Sequence, residues 1–511
     1  MVWKTSRKSG LERQGPALPT GASRLRAASL LGMTFLLFAL LNGCKTDNLT
    51  DLAHGYPEEI AEILRPSCAA SGCHTAASAP AAAQLNLESW DDLFKGSSGG
   101  SPVVPYSPEQ SYFLYAINND STRGPILLPT MPIQQPALNP YQYEAIRQWI
   151  ADGARNSKGE ERFPPKASRR KWYVAHRGCE LVAVIDAESR QVMRYVKVGE
   201  DGHADEQLNC VKVAPDGRHW YAVFAANNPR IEQYSTLTDQ KVSTIALGHK
   251  IWHNMAFSAD GRFAFLVSGG FRDMVAVDLE QGISIGSPYP LAANIAGLAA
   301  HPEGSSVYVT KSDHSALIVV AHDSNGVFGS AREVDLVQGI PPANAGELMP
   351  YDIAFSPDGR QYFVSCWQSH EIRAFDSATD TLLQVIPVGV APTKMAISAA
   401  KGLLLVTCME ETWGGEPTRR GAVAVIDLAS HQLLRMVYSG YQPHGIAVDE
   451  TSGFAVVANR NLDQNGPAQH HASTCAGRNG NITLLDLNSL EIVSGFKAEL
   501  SVDPYSVATK E

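Results

Sequence analysis

Beyond Lys171 the chain repeats one pattern of apolar and polar positions. Short β-rich runs such as Val307-Tyr308-Val309-Thr310 follow polar turns, and Val-Ile-Asp or a near copy comes next, as at Val184-Ile185-Asp186, Val277-Asp278, Phe375-Asp376, Val425-Ile426-Asp427 and Leu485-Asp486. Ala256-Phe257-Ser258-Ala259-Asp260-Gly261-Arg262 and Ala354-Phe355-Ser356-Pro357-Asp358-Gly359-Arg360 are the closest copies of the turn. Asp and Gly suit it because they accept the positive φ that tight hairpin turns demand. The turn glycines Gly217, Gly261, Gly304, Gly359, Gly402 and Gly453 fall 40 to 55 residues apart, the period of propeller blades, each of four antiparallel strands. Six units start between Leu208 and Pro443. The piece from Trp172 to Gly199 has outer strands only, while Pro504-Tyr505-Ser506-Val507-Ala508 is an inner strand without a blade. Setting that strand before Trp172 predicts a seventh blade and leaves the ring no open edge.

Upstream the period becomes helical. A helix is predicted from Pro57 through Glu58, Ile60, Ile63 and Leu64, with Pro in the first turn. A second starts at Asn139-Pro140 and sets Tyr143, Ile146, Trp149 and Ile150 on one face before Gly153. Residues 156–170 carry charge, Pro164-Pro165 and no apolar period, which reads as a linker. At the start of the chain Lys4, Arg7, Lys8, Arg13, Arg24 and Arg26 precede an apolar run from Ala27 to Leu41. That run is short for a membrane span and reads as an export signal. The expected organisation is a signal peptide (1–43), a linker (44–55), a small all-α domain (56–155), a linker (156–170) and an all-β seven-bladed propeller (171–511).

Composition adds little to the fold and excludes one partner class. The 511 residues are 44% hydrophobic and 18% charged, enough for more than one core. A net charge of −10 with no basic cluster beyond the leader and Arg169-Arg170-Lys171 argues against nucleic acid.

The chemistry is concentrated in Cys68-Ala69-Ala70-Ser71-Gly72-Cys73-His74. Two thiols followed at once by an imidazole suit covalent attachment of a haem c, with His74 as proximal iron ligand. The usual spacing is C-x-x-C-H and this loop is two residues longer; a Cys68–Cys73 disulfide or half a zinc site is the competing reading. From Thr75 to Lys166 there is no further His or Cys and one Met, Met131, in Leu128-Pro129-Thr130-Met131-Pro132. A Pro-braced segment can hold a thioether rigidly against iron, so elimination makes Met131 the distal ligand; filling an apolar gap is the alternative.

The order helix, "ILRPSCAASGCH", a variable middle, "LPTMP" and "YEAIRQWIADGA" resembles the small monohaem cytochrome c domains fused to other modules in bacterial extracytoplasmic proteins, over roughly Tyr56 to Ala154. The resemblance implies one covalently bound haem c at Cys68 and Cys73, with His74 and Met131 as axial ligands. The repeats from Lys171 resemble YVTN-type seven-bladed propellers. Leu41-Asn42-Gly43-Cys44 resembles a bacterial lipobox, which implies acylation of Cys44 and a lipid anchor in the cell envelope, the outer membrane being favoured by Lys45. An ordinary signal peptide or an uncleaved anchor remains open, and each exports the chain.

Of the other cysteines, Cys179, Cys210, Cys366, Cys408 and Cys475 are odd in number, so at least one lacks a partner within this set. Cys179 and Cys475 lie before the third strands of neighbouring blades and form a conceivable pair. Aligned on the turns, the inner strands place Asn209, His253, Ala296, Tyr351, Thr393, His444 and Tyr505 around the central channel. Only two are His, so His253 and His444 are weak candidates for catalysis or ligation, against plain hydrogen bonding at the channel mouth. The insertion Asn461–Gly480, with His470-His471, and the loop Glu410–Arg420, with Trp413-Gly414-Gly415, are candidate partner or substrate faces. Two functions follow. In one the protein carries electrons through a His/Met-ligated haem, with the propeller docking a redox partner. In the other it is an oxidoreductase with its site in the channel and the haem as relay. A ligand-binding or adhesive propeller is a third reading.

Overall fold

The structure is a computed structural model that describes residues 54–200, 206–249, 251–342, 347–416, 418–462, 475 and 479–511. Cys44 with the leader before it, and His470-His471, lie outside the described residues. Among the described residues no helix is long and apolar enough to cross a membrane.

The two predicted helices are present. The first spans Glu58–Ser67 with Pro57 as its N-cap, buries Ile60, Ala61, Ile63 and Leu64, and carries Glu58 and Glu59 in its first turn and Arg65 in its last, the order its dipole favours. The second spans Pro140–Ala151. Its start is a reciprocal capping box: the Gln142 amide donates to the Asn139 side chain at 3.0 Å, and the Asn139 amide donates to the Gln142 side chain at 3.0 Å. Tyr143, Ile146, Trp149 and Ile150 are its buried face. Trp149 meets Tyr56 edge-on at 6.1 Å, and Trp90 Nε1 donates to the Ala154 carbonyl at 2.7 Å. Two short helices, Trp90–Leu93 and Tyr112–Ile117, complete the small region.

Seven antiparallel sheets follow. All six turn glycines have positive φ, between 63° and 81°, where a Cβ is strained. The C-terminal strand Pro504–Lys510 pairs antiparallel with Lys171–His176, Trp172 opposite Thr509 and Val174 opposite Val507, as the inner strand of the blade whose other strands are Leu181–Asp186 and Gln191–Lys197. The ring is thus closed by the strand that the sequence left without a blade. Gly480–Asp486 in the last blade takes two short partners on its outer side, Glu491–Ile492 and Ala498–Leu500.

Residues 156–170 hold neither helix nor strand but are packed rather than loose. Phe163 is buried and meets Phe94 edge-on at 6.2 Å, and Arg162 pairs with Asp91 at 3.0 Å. One buried cluster runs from Tyr56, Trp90 and Ile150 through Phe163 to Tyr173, Val184 and Trp220, so the helical region and the first blades share a core. The helical region also covers sheet edges. Ser101 Oγ accepts from the Val192 amide at 2.8 Å and Ser107 Oγ from the Tyr195 amide at 3.2 Å, along the outer strand Gln191–Lys197. The Glu499 amide, on the outermost strand of the last blade, donates to the Gly99 carbonyl at 3.0 Å. Outer-strand amides that would otherwise face solvent are satisfied in this way.

Cys179 and Cys475 form a disulfide, with Cα atoms 5.3 Å apart. Cys210, Cys366 and Cys408 are buried free thiols, which accounts for the odd count.

Candidate functional site

The helix Glu58–Ser67 delivers its C-terminal end into the Cys68–His74 loop. The Cys68 amide still donates to the Leu64 carbonyl at 2.8 Å, and the chain then turns through Gly72, at φ +83°, until the His74 amide reaches the Cys68 carbonyl at 3.0 Å. This closure absorbs the two extra residues of the loop: it sets the residue after the second thiol back against the first. Both thiols are free, Cys68 buried and Cys73 half-buried. Burial, then the neighbouring Cys73 thiol, pushes the Cys68 thiol up to about 12.

His74 is held through Nδ1, which meets the Leu85 carbonyl at 3.3 Å; as the donor there, it leaves Nε2 with a free lone pair. Burial lowers the His74 pKa, which favours the neutral ring that a metal ligand requires. Met131 sits in a segment tied to the helix Tyr112–Ile117, where the Leu127 amide donates to the Tyr115 carbonyl at 3.0 Å and the Met131 amide to the Ala116 carbonyl at 2.7 Å.

Two cavities of about 340 and 530 Å³ share Cys68, His74, Ala82, Ala83 and Met131 in their walls. The first adds Leu85, Leu87, Phe113 and Ile117, and the second adds Cys73. The four residues singled out in the sequence therefore line these two cavities, Cys73 only the second. Two reduced thiols, an imidazole fixed by its far nitrogen and a thioether are the donor set that a c-type haem needs, so the residues fit that group. Sequence reasoning missed Lys497 and Glu499, which line the same cavity from the propeller and pair with each other at 3.4 Å. They lie more than 300 residues from Met131, beyond the reach of any local motif.

The propeller channel holds a second cavity of about 300 Å³. Of the seven residues placed there by turn alignment, Asn209, His253, Ala296, Tyr351, His444 and Tyr505 line it, and Thr393 does not. Thr393 is buried against Thr407 at 2.9 Å and Lys394 takes its place. The cause is a recurrent bulge: the ladder register shifts at the start of five inner strands, beside Asn209, Tyr351, Thr393-Lys394, His444-Gly445 and Tyr505. A bulge re-aims a side chain that a regular strand would turn elsewhere.

Burial lowers the pKa of both channel histidines. His444 Nδ1 donates to the Tyr505 carbonyl at 2.8 Å, so its Nε2 accepts from the Tyr351 hydroxyl at 3.0 Å, and its ring stacks on Tyr505 at 3.9 Å. Burial, then Arg460 and Lys394, holds its pKa well below the ordinary value. His253 Nδ1 accepts from the Gly269 amide at 2.9 Å, and burial, then Arg177 and Lys394, lowers its pKa. Among the described residues no three His, Cys, Asp or Glu side chains are gathered to hold a metal ion. The loop at Glu410–Arg420 is a lengthened hairpin, with Thr412 opposite Arg420 and Trp413 Nε1 donating to the Gly421 carbonyl at 3.0 Å.

Residues 71–125 match the family described as planctomycete cytochrome C, a span that includes Cys73 and His74 and stops short of Cys68 and Met131. The helical region thus carries the cytochrome c domain match, and such a domain implies haem c. No curated protein matches the chain. Solved structures similar to it include a functionally unknown protein from Desulfotomaculum acetoxidans, 14% identical over 66% of this chain and 98% of that one, with a TM-score of 0.50. Two others are Kuenenia stuttgartiensis hydrazine synthase (15% identical, 61% and 92% covered, TM-score 0.46) and the dihydro-haem d1 dehydrogenase NirN (14%, 81% and 94%, TM-score 0.45). At 14% identity the likeness to the Desulfotomaculum acetoxidans protein is one of fold.

Proposed function

We propose that this chain is an exported, lipid-anchored electron-transfer protein, with one haem c attached at Cys68 and Cys73 and held axially by His74 and Met131. The observation that carries the reading is that these four side chains, from the loop after one helix and from a Pro-braced segment, line two cavities that share Cys68, His74 and Met131. When bound, a haem with two protein axial ligands supplies one-electron chemistry without an open coordination site. The chain's own part is positional: the Leu85 carbonyl fixes the His74 ring, and the Ala116 carbonyl anchors Met131. Leu85, Leu87, Phe113 and Ile117 keep the space dry, which favours the less charged, reduced state.

In this proposal the propeller, of YVTN type, docks a redox partner in the bacterial cell envelope, with Cys44 acylated and the outer membrane as the anchoring site. Replacing Met131 by Ala tests the ligand assignment. The variant is expected to lose six-coordination, bind carbon monoxide or imidazole that the parent excludes, and show a lower potential. A variant with an unchanged spectrum and potential contradicts the assignment.

A second reading, an oxidoreductase with its site in the channel, is favoured by the bulge-built cavity and the buried Tyr351–His444–Tyr505 cluster.

A further inference from the structure

Charge around the channel cavity is unevenly matched. Lys394 has Asp352 at 3.1 Å, and Arg460 has Asp503 at 2.6 and 3.0 Å. Arg177 has only neutral company among the described residues: its guanidinium donates to the Gln207 amide oxygen at 3.3 Å and lies over the Tyr505 ring at 4.9 Å. The side-chain ammonium of Lys212, half-buried in the same wall, has no hydrogen bond or ion pair to any described residue. Two positive charges are therefore left uncompensated in a concave space, and partial burial makes such charges costly unless something negative enters.

An independent observation points the same way. Asn254 is 6% exposed and lines the cavity. Its Oδ1 accepts from the Met255 amide at 2.9 Å and faces the Cys210 thiol at 3.5 Å, which fixes the orientation of the amide. Its Nδ2 has no acceptor among the described residues and stays accessible from the cavity, a fixed donor that a ligand oxygen would engage. The Tyr351–Tyr505 hydroxyl contact at 3.4 Å has Tyr505 as its donor, because Tyr351 already gives its proton to His444. The channel wall is thus rich in donors. Its one carboxylate, Asp352, is occupied by Lys394 and by the Met395 amide at 3.2 Å.

We propose that the channel cavity binds a small, doubly charged carboxylate or oxyanion, with Lys212 and Arg177 as its charge partners and Asn254 Nδ2 as a neutral donor. The cavity, about 300 Å³, suits a ligand at the small end of the range for such sites. Binding here requires no contact with the haem cavity, so the inference stands apart from the electron-transfer reading.

Calorimetric titration of the full haem-loaded protein in a low-salt zwitterionic buffer tests it, with sulfate, inorganic phosphate, oxalate and succinate as separate probes. At least one probe is expected to bind saturably; sulfate or phosphate would identify an oxyanion site and oxalate or succinate a carboxylate site. Lys212→Gln should weaken that binding roughly tenfold or more, as loss of one charge partner does in a partly desolvated site. Lys212→Arg should retain it, and Lys166→Gln, at an exposed position, should leave it unchanged. Arg177→Gln provides a second reading of the same charge set, and the visible spectrum reports that each variant is folded. No saturable binding by any of the four probes overturns the proposal. So does binding that survives in both Lys212→Gln and Arg177→Gln.

Discussion

Burial lowers the pKa of several imidazoles in the ring, His176 among them. It is fully buried, its Nδ1 meets the Leu181 carbonyl at 3.3 Å, and its Nε2 has no partner among the described residues. Desolvation holds its pKa at about 4 against an ordinary 6.5. Between those values the unfolded chain takes up a proton that the folded one refuses, so stability is full above the unfolded value and declines as pH falls through the window. For His176 alone the loss is about 3 kcal/mol; His253 and His444, also lowered, add with the same sign. Denaturant midpoints near neutral pH and near pH 4 should show the decline, and His176→Gln should flatten part of it. Buried charge makes a second prediction. Glu371 and Arg373 pair at 2.6 Å with no exposure of either side chain, and Arg373 also donates to the Leu336 carbonyl at 2.8 Å. Glu371→Gln should cost about 3–5 kcal/mol by leaving the guanidinium buried without its counter-charge, whereas Glu371→Leu with Arg373→Met should cost far less. Chemical denaturation of the single and double variants checks this. Residue identities such as these two were readable in the sequence; their burial was not, since Glu371-Ile372-Arg373 looks like any exposed edge.

At the scale of elements, the closing strand is the point on which the ring turns. Gly480 faces Pro504 so closely that a Cβ would strike the proline ring and lie 2.9 Å from the Asn459 carbonyl oxygen. Gly480→Ala should therefore loosen the junction of the last and first blades, and removal of Pro504–Glu511 should expose the edge of Lys171–His176 and abolish cooperative unfolding, as read by heat-denaturation profiles. The turn glycines and the unattached C-terminal strand made this closure legible in the sequence, because turn chemistry and a missing strand are local signals. The bulges were not legible. Thr393 and Lys394 are equivalent candidates to a strict alternation, and only the ladder against Leu403–Thr412 shows that two residues there oppose one and that Lys394 reaches the channel. The helix start at Asn139-Pro140 and the residues of the Cys68–His74 loop were legible for the same local reason as the turns, whereas Lys497 and Glu499 reach the cavity only through the fold.

For the whole molecule, the shared core matters more than the linker that the sequence suggested. Residues 156–170 look like a spacer in composition, yet Phe163 lies inside the cluster that joins Trp90 to Tyr173 and Trp220. Ser101 and Ser107 complete the edge of a blade. Two modules joined in this way should unfold together: haem absorbance and far-ultraviolet circular dichroism are expected to report one coincident thermal transition, and two separated transitions would contradict the shared core. The proposed electron transfer requires a haem fixed covalently at Cys68 and Cys73. The decisive measurement is alkaline-pyridine spectroscopy of the mature protein, made in cells able to attach haem c and then extracted with acidified organic solvent. One haem per chain is expected, carrying two thioether links and remaining with the polypeptide; a colourless protein, or a pigment that leaves with the solvent, would contradict the proposal.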